Sequence, residues 1–259
     1  MKAASFCNCP SPLIANNHLK AYMTDKIASL GFDILPEIIS EEEVNDIIDL
    51  ISVADTSGAG FRKSNDLFAI RQFFKHIPAV ADIVMSSKLG NLVKESFGED
   101  YFVVKSIYFD KPPASNWFVS YHQDLTISVS NRIAVDGFGS WTLKEGQFGV
   151  QPPLEILQDN ITIRIHLDDT SNSNGALKVI PGSHLKGIYR PETIDWDTES
   201  EVDCEVPRGG AMIMKPLLLH SSGRTLNNKR RRVIHIEFSR YKLPEGLQWA
   251  ELLASPSSR

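Results

Sequence analysis

The densest chemistry in this sequence is the run Tyr121-His122-Gln123-Asp124. On an extended chain, residues i and i+2 point to the same side, so His122 and Asp124 present an imidazole and a carboxylate together. That pair can give one metal ion two ligands, and a third must come from elsewhere. His220, directly after the apolar stretch Leu217-Leu218-Leu219, is the candidate. Two histidines and one carboxylate leave coordination positions open, as in non-haem Fe(II) sites that take O2 and a bidentate cosubstrate. Catalytic Zn2+ sites use the same donors. A His and an Asp two apart can also be plain structure, the imidazole bonded to the carboxylate. With seven histidines in the chain, including His166, His184 and His235 on or near extended segments, some such pair is unsurprising.

A second feature follows His220. The run Lys229-Arg230-Arg231-Arg232 leads straight into Val233-Ile234-His235-Ile236-Glu237-Phe238, which has the composition of a half-buried strand. A charge run is usually a solvated face. Placed here, one arginine can point inward and grip a carboxylate through its planar fork.

Taken together, the segments Phe109-Asp110-Lys111-Pro112-Pro113, His122-Gln123-Asp124, Asn174-Gly175 through Ile180-Pro181-Gly182-Ser183-His184, and His220 through Arg231 resemble the phytanoyl-CoA dioxygenase family of Fe(II)/2-oxoglutarate oxygenases, in order and rough spacing. The resemblance runs from about residue 100 to 240 and more weakly through the preceding helices. It implies a double-stranded β-helix, a jelly-roll and cupin-like fold, with His122, Asp124 and His220 holding Fe(II). It implies that Arg231, eleven residues after His220, binds the distal carboxylate of 2-oxoglutarate with help from Ser222, while Arg230 and Arg232 face solvent. Pro181-Gly182-Ser183-His184 then becomes a tight turn rather than a metal site. The implied reaction is hydroxylation of an unactivated C–H of a small molecule by O2, with release of succinate and CO2. Asp124 favours hydroxylation over halogenation, which in this class needs Gly or Ala there.

The sequence also departs from the family pattern. Arg164 stands where a family member has an aromatic residue beside the cosubstrate, so it is a candidate contact for 2-oxoglutarate or an anionic substrate, or else a surface partner of Asp168 or Asp169. Lys105 and Arg71 are further candidate carboxylate anchors. Asn116, Trp117, Gln123 and Trp141 are candidates for the substrate side. Residues 127–160, with Lys144, Glu145 and Phe148, read as an insertion forming a lid or substrate wall. Strand alternation puts His235 and Glu237 on the face of Arg231, an unusually polar interior wall; either they line the substrate pocket or a bulge changes the register, and the bulge is favoured. Two rival readings are another metal-dependent jelly-roll enzyme, an isomerase or hydrolase, and a non-catalytic jelly-roll binding protein.

Elements that could position these residues are visible along the chain. His18 to Leu30 has helical apolar spacing and Gly31 stops it. Phe32 to Ile39 reads as extended. Ser40 with Glu43 forms a capping box opening a helix whose Val44, Ile47, Ile48 and Ile51 share a face. Pro78 to Phe97 reads as one or two helices ending before Gly98. Beyond it, short β-branched segments alternate with turn residues: Tyr101–Phe109, Trp117–Ser130, Ile161–Leu167, Ala176–Ile180, Ala211–Met214, Leu217–His220 and Val233–Phe238. In Ile161–Leu167 the aliphatic residues take one face, and Thr162, Arg164 and His166 the other. Helices followed by many short strands predict an α+β chain, mainly β, with a jelly roll buttressed by N-terminal helices. The expected organisation is a flexible arm over residues 1–17 and one oxygenase domain over residues 18–259. That domain has a helical buttress to about residue 98 and a jelly-roll core over about residues 99–240.

Bulk properties restrict the partners. Of 259 residues, 42% are apolar and 23% charged, with a net charge of −5, so the chain is globular and lacks the basic footprint of nucleic-acid binding. No apolar run approaches the ~18 residues of a membrane span. Cys7, Cys9 and Cys204 are too few for a disulfide framework, and Cys7-Asn8-Cys9 has no second pair to complete a metal clip. The N-terminus has no apolar signal region and the C-terminus lacks Ser-Lys-Leu, so the expected compartment is the cytoplasm.

Overall fold

The structure, a computed structural model, describes residues 23–55, 60–64, 68–86 and 88–253. The expected arm over residues 1–17, the start of the first helix, and Cys7 and Cys9 lie outside them. Residues 23–30 form α1, which stops at Gly31, a residue at φ 86° that carries the chain into β1 (Phe32–Leu35). The capping box forms: Ser40 Oγ accepts from Glu43 N at 3.1 Å and Ser40 N donates to Glu43 Oε2 at 2.7 Å, opening α2 (Glu41–Ser52). Val44 and Ile47 are fully buried on its inner face, with Ile48 and Ile51 packed beside them. Next come β2 (Phe61–Lys63), β3 (Phe68–Arg71), α3 (Phe73–His76), α4 (Pro78–Ser86) and α5 (Lys88–Phe97). The β2–β3 hairpin stands where a purely helical buttress was expected. Strands of three and four residues are too short for a period-2 pattern to show.

The remaining strands are β4 (Phe102–Lys111), β5 (Val119–His122), β6 (Ile127–Val129), β7 (Gly139–Lys144), β8 (Gln147–Gln151), β9 (Ile161–His166), β10 (Leu177–Val179), β11 (Val202–Cys204), β12 (Ala211–Met214), β13 (His220–Ser222) and β14 (Arg231–Ser239), with α6 (Leu154–Asp159) before β9. They form an antiparallel seven-stranded sheet, β1-β12-β9-β14-β4-β3-β2, and a four-stranded sheet, β11-β10-β13-β5. These two face one another as the expected jelly roll. A third sheet, β6-β8-β7, is built from strands within residues 127–151. The segment expected as an insertion is therefore ordered β structure with its own apolar cluster, in which Ile127, Val129 and Val150 meet Leu157 of α6 and Trp249.

Strand β9 shows how the large sheet is built. Ile161, Ile163 and Ile165 point to the helices and pack with Val44, Phe73, Val80 and Leu89, while Thr162, Arg164 and His166 point to the smaller sheet. Both faces are buried, as the alternation predicts. Each fully buried isoleucine here contributes roughly 2 kcal/mol, and this face offsets the cost of the polar one opposite. Between the sheets, Met212 and Met214 pack on Leu177, Val179 and Cys204. No described helix is long and apolar enough to cross a membrane.

The C-terminal segment ties the sheets together through bridges Val129↔Trp249 and Val103↔Leu253. Between them Glu251 accepts from Ser106 N and from Ser106 Oγ at 2.7 Å. Burial pushes this carboxyl up to about 7, against the opposing pull of Ser106 and of Lys75 and Lys105. A folded pKa above the unfolded value of ~4.3 means that this group's contribution is fully present below pH ~4.3 and lost as pH rises through about 7. Glu251→Gln should therefore flatten the fall in stability between pH ~4.5 and ~7.5, read from urea midpoints. Equal slopes for variant and wild type would contradict this.

Candidate active site

Strands β5 and β13 run antiparallel with His122 directly opposite His220, and their rings lie 4.2 Å apart. Each ring bonds through Nδ1 to the carbonyl two residues before it: His122 to Ser120 O and His220 to Leu218 O, both at 2.9 Å. Since a carbonyl only accepts, Nδ1 carries the proton in each ring and both Nε2 lone pairs remain available. Asp124 completes the group. Its carboxylate lies 3.9 Å from His122 Nε2 through Oδ1 and 3.9 Å from His220 Nε2 through Oδ2. These separations are too long for hydrogen bonds.

Local folding differs from the sequence expectation in two details. β5 ends at His122, so strand alternation does not aim Asp124. Instead Asp124 N donates to Pro216 O at 2.9 Å, and the buried Gln123 side chain donates to Leu217 O at 2.6 Å and Gly187 O at 2.8 Å. Gln123 thus clamps the backbone and does not line the cavity. Likewise Leu217-Leu218-Leu219 is a buried turn rather than a strand, and β13 starts at His220.

The electrostatics suit a cation. Burial lowers His220 to about 4, so its imidazole is neutral near pH 7. Burial raises Asp124, but His220, His235, Lys105 and His122 outweigh that and hold its carboxyl well below the usual carboxylate range. Asp124 Oδ2 is buried with no hydrogen-bond partner. An ionised oxygen in that state is costly, and a metal ion among the three donors, whose ligand atoms lie within 4.8 Å of one another, removes the cost. Two imidazole nitrogens and one carboxylate therefore fit a non-haem iron by donor type.

Of the four cations in the 229–232 run, Arg231 alone turns inward. It is 2% exposed and donates from Nη1 to Gly175 O and, at 3.4 Å, to Ser222 Oγ, which itself donates to Gly175 O at 3.0 Å. Its Nε is buried without a partner, and burial beside Arg164 lowers it to about 9. Arg230 is half exposed and grips Asp110. Arg232, expected in solvent, is largely buried against Asp168 through bonds of 2.8 and 2.6 Å. Asp168 being taken, and Asp169 accepting from Arg208 N, Arg164 has no surface carboxylate. It lies instead on the cavity wall, with Nη1 donating to His235 Nδ1 at 3.0 Å.

The favoured bulge does not fall between Arg231 and Glu237. The register of β14 changes between Glu237 and Phe238, so His235 and Glu237 do share Arg231's face. The polar wall is sustained by pairing: His235 Nε2 meets Glu237 Oε1 at 3.1 Å, and Lys105 Nζ donates to the same oxygen at 2.6 Å.

The three donors, Arg231, Ser222, Arg164, His235 and Lys105 line one cavity of about 290 Å³, with Glu237 behind its wall. Trp117 lines it, stacked on Phe109 with centroids 6.4 Å apart. Asn116 and Trp141 do not; Trp141 packs into the cluster of the third sheet, beneath Arg132. The opposite wall is Thr142, Lys144, Gln147 and Phe148 of β7 and β8, and Arg71 Nε meets Glu145 Oε2 at 2.6 Å across the mouth. Thr142 and Gln147 escaped the sequence reading, which offered no signal beyond their place in residues 127–160. His184 binds Ala28 O at 3.1 Å and packs on Gly31, outside this cavity.

A double-stranded β-helix with two histidines and a carboxylate facing a buried unpaired arginine has the build of a non-haem iron oxygenase that uses an anionic cosubstrate. Residues 31–233 match the family described as Phytanoyl-CoA dioxygenase (PhyH), and the chain belongs to that family. It is similar to a probable alpha-ketoglutarate-dependent hypophosphite dioxygenase of Stutzerimonas stutzeri, 24% identical over 81% of this chain and 74% of that protein. A shorter match, 31% identical over 32% of this chain and 41% of the other, is to L-proline trans-4-hydroxylase of Streptomyces griseoviridis. Among solved structures, EctD from S. alaskensis superposes with a TM-score of 0.66 at 17% identity, covering 85% of this chain and 76% of that one. EvdO2 from Micromonospora carbonacea var. aurantiaca, complexed with 2-oxoglutarate, gives 0.62 at 17% identity over 91% and 95%. The protein is thus a 2-oxoglutarate-dependent non-haem iron dioxygenase whose cofactors are Fe(II), 2-oxoglutarate and O2.

Asp124→Ala should cost more Mn(II) affinity by calorimetry than the roughly 10–100-fold lost with an outer-shell partner. Unchanged affinity would exclude Asp124 as a ligand.

Proposed function

We propose that the protein hydroxylates an unactivated C–H bond of a small molecule, with His122, Asp124 and His220 holding Fe(II) and with Arg231 and Ser222 holding the far carboxylate of 2-oxoglutarate. Bound Fe(II) supplies activation of O2 coupled to oxidative decarboxylation of the cosubstrate to succinate and CO2. The observation that carries this reading is Arg231: a buried guanidinium with an unpartnered Nε and no carboxylate partner among the described residues, in the same cavity as the three donors. Desolvating such a charge is expensive unless an anion completes it. His122 and His220 each turn Nε2 toward Asp124, which would offset the metal's charge. Trp117 and Phe148 wall the cavity beside the three donors, where they would limit the access of water to the reacting centre.

The cavity's size, at the low end of the ~300–1,000 Å³ of ligand pockets, suits a cosubstrate plus a small substrate. Hypophosphite and L-proline, in the names of the two relatives, are of that scale. The same reading takes residues 18–259 as one oxygenase domain.

The purified protein with Fe(II) should convert 2-oxoglutarate to succinate in an O2-dependent manner, slowly alone and faster with substrate from a metabolite panel. Arg231→Ala should raise the 2-oxoglutarate KM about a hundredfold. An unaltered KM would sink the cosubstrate assignment, and absence of any succinate would sink the function.

A further inference from the structure

Arg231 is not the cavity's only waiting cation. Arg164 is 7% exposed, lines the same cavity and keeps a buried Nε with no partner. No carboxylate pairs with it among the described residues; burial lowers its guanidinium to about 10, which Asp124, beyond pairing distance, only partly offsets. What fixes it is a four-membered ladder across the wall: Arg164 Nη1 to His235 Nδ1 at 3.0 Å, His235 Nε2 to Glu237 Oε1 at 3.1 Å, and Lys105 Nζ to Glu237 Oε1 at 2.6 Å. A guanidinium has no acceptor, so His235 Nδ1 must accept and the ring proton sits on Nε2, where Glu237 receives it. Lys105 in turn holds Glu237. Every member is bonded, and the ladder ends on a guanidinium with donors left over. Such a chain orients a binding group.

Its position selects the ligand. Arg164 stands opposite His235 on the neighbouring strand, four residues along β14 from Arg231. A ring nitrogen of His235 lies within 4.8 Å of an Asp124 carboxylate oxygen, so this end of the wall abuts the three-donor centre. Arg231 with Ser222 marks the other end. A molecule running from the metal donors to Arg231 therefore carries its first carbons past Arg164.

Resting on the function proposed above, we infer that Arg164 is a second carboxylate subsite, built to take the 1-carboxylate of 2-oxoglutarate, and that His235 is its positioning residue. The cosubstrate is then held by a guanidinium at each end, and the enzyme selects 2-oxo acids as well as distal carboxylates.

The test titrates Mn(II)-loaded protein, without oxygen, with three ligands. These are 2-oxoglutarate, 2-oxopentanoate (a methyl replaces the far carboxylate) and 4-oxopentanoate (a methyl replaces the near one). Arg164→Leu should weaken 2-oxoglutarate and 2-oxopentanoate by about tenfold or more and leave 4-oxopentanoate unchanged. Arg231→Ala should spare 2-oxopentanoate and weaken the other two. His235→Asn, which keeps an acceptor near Nδ1, should retain most of the affinity that His235→Leu loses. If Arg164→Leu does not fold, Arg164→Lys carries the same comparison at smaller size. Wild-type affinity for 2-oxoglutarate and 2-oxopentanoate in the Arg164 variants, or equal loss of all three ligands, overturns the subsite. Wild-type protein that binds none of the three overturns instead the function on which it rests.

Discussion

The pairing of β5 with β13 is the constraint on which the rest depends. It sets His122 against His220, and the carbonyls of Ser120 and Leu218 then dictate which nitrogen of each ring is free. Neither ring has much choice of orientation once the strands pair. Asp124 is brought in by the same neighbourhood, because its N–H and the Gln123 amide both bond to the Pro216–Leu217 turn that leads into β13. One local arrangement thus places three donors that the sequence separates by nearly a hundred residues.

The opposite wall is a different physical problem. Arg164, Arg231, His166, His235 and Glu237 all lie on the buried inner face of two central strands. Each charge taken from water costs several kcal/mol after relaxation. The apolar outer face of the same strands, with Ile163, Ile165, Ile234 and Ile236 under the helices, supplies the compensating burial. The helices are therefore part of the site's energetics although none of their residues lines it.

Much of this was legible in the sequence, for identifiable reasons. The Ile-Thr-Ile-Arg-Ile-His alternation of β9 assigns both faces, and the Ser40–Glu43 box fixes a helix start, because both are local patterns with a local cause. The His122, Asp124 and His220 grouping came from residue type and spacing. The hairpin β2–β3 and the strand β11 were missed because three or four residues carry no period. The polarity of the β14 wall argued for a bulge. No bulge is needed there, because Arg164 and Lys105, distant in sequence, pair with His235 and Glu237. Pairing partners across strands are what a single chain read in order hides. Gln123 was misplaced for the same reason, its partners being backbone carbonyls 64 and 94 residues away.

Two ion pairs of this cavity share their chemistry and differ in what they answer to. Lys105 lines the cavity and its partner Glu237 lies behind the wall, almost wholly enclosed. Arg71–Glu145 spans the rim, with side chains 19% and 35% exposed. Mobile ions reach the exposed pair far more readily than the enclosed one. The screening distance in water shrinks from ~8 Å at ~0.15 M salt to ~3 Å at ~1 M, so only the outer tie is tuned by the medium. Ionic strength thus becomes a control on how firmly the β7–β8 turn is held to the large sheet, while the geometry beside the three donors stays indifferent to it.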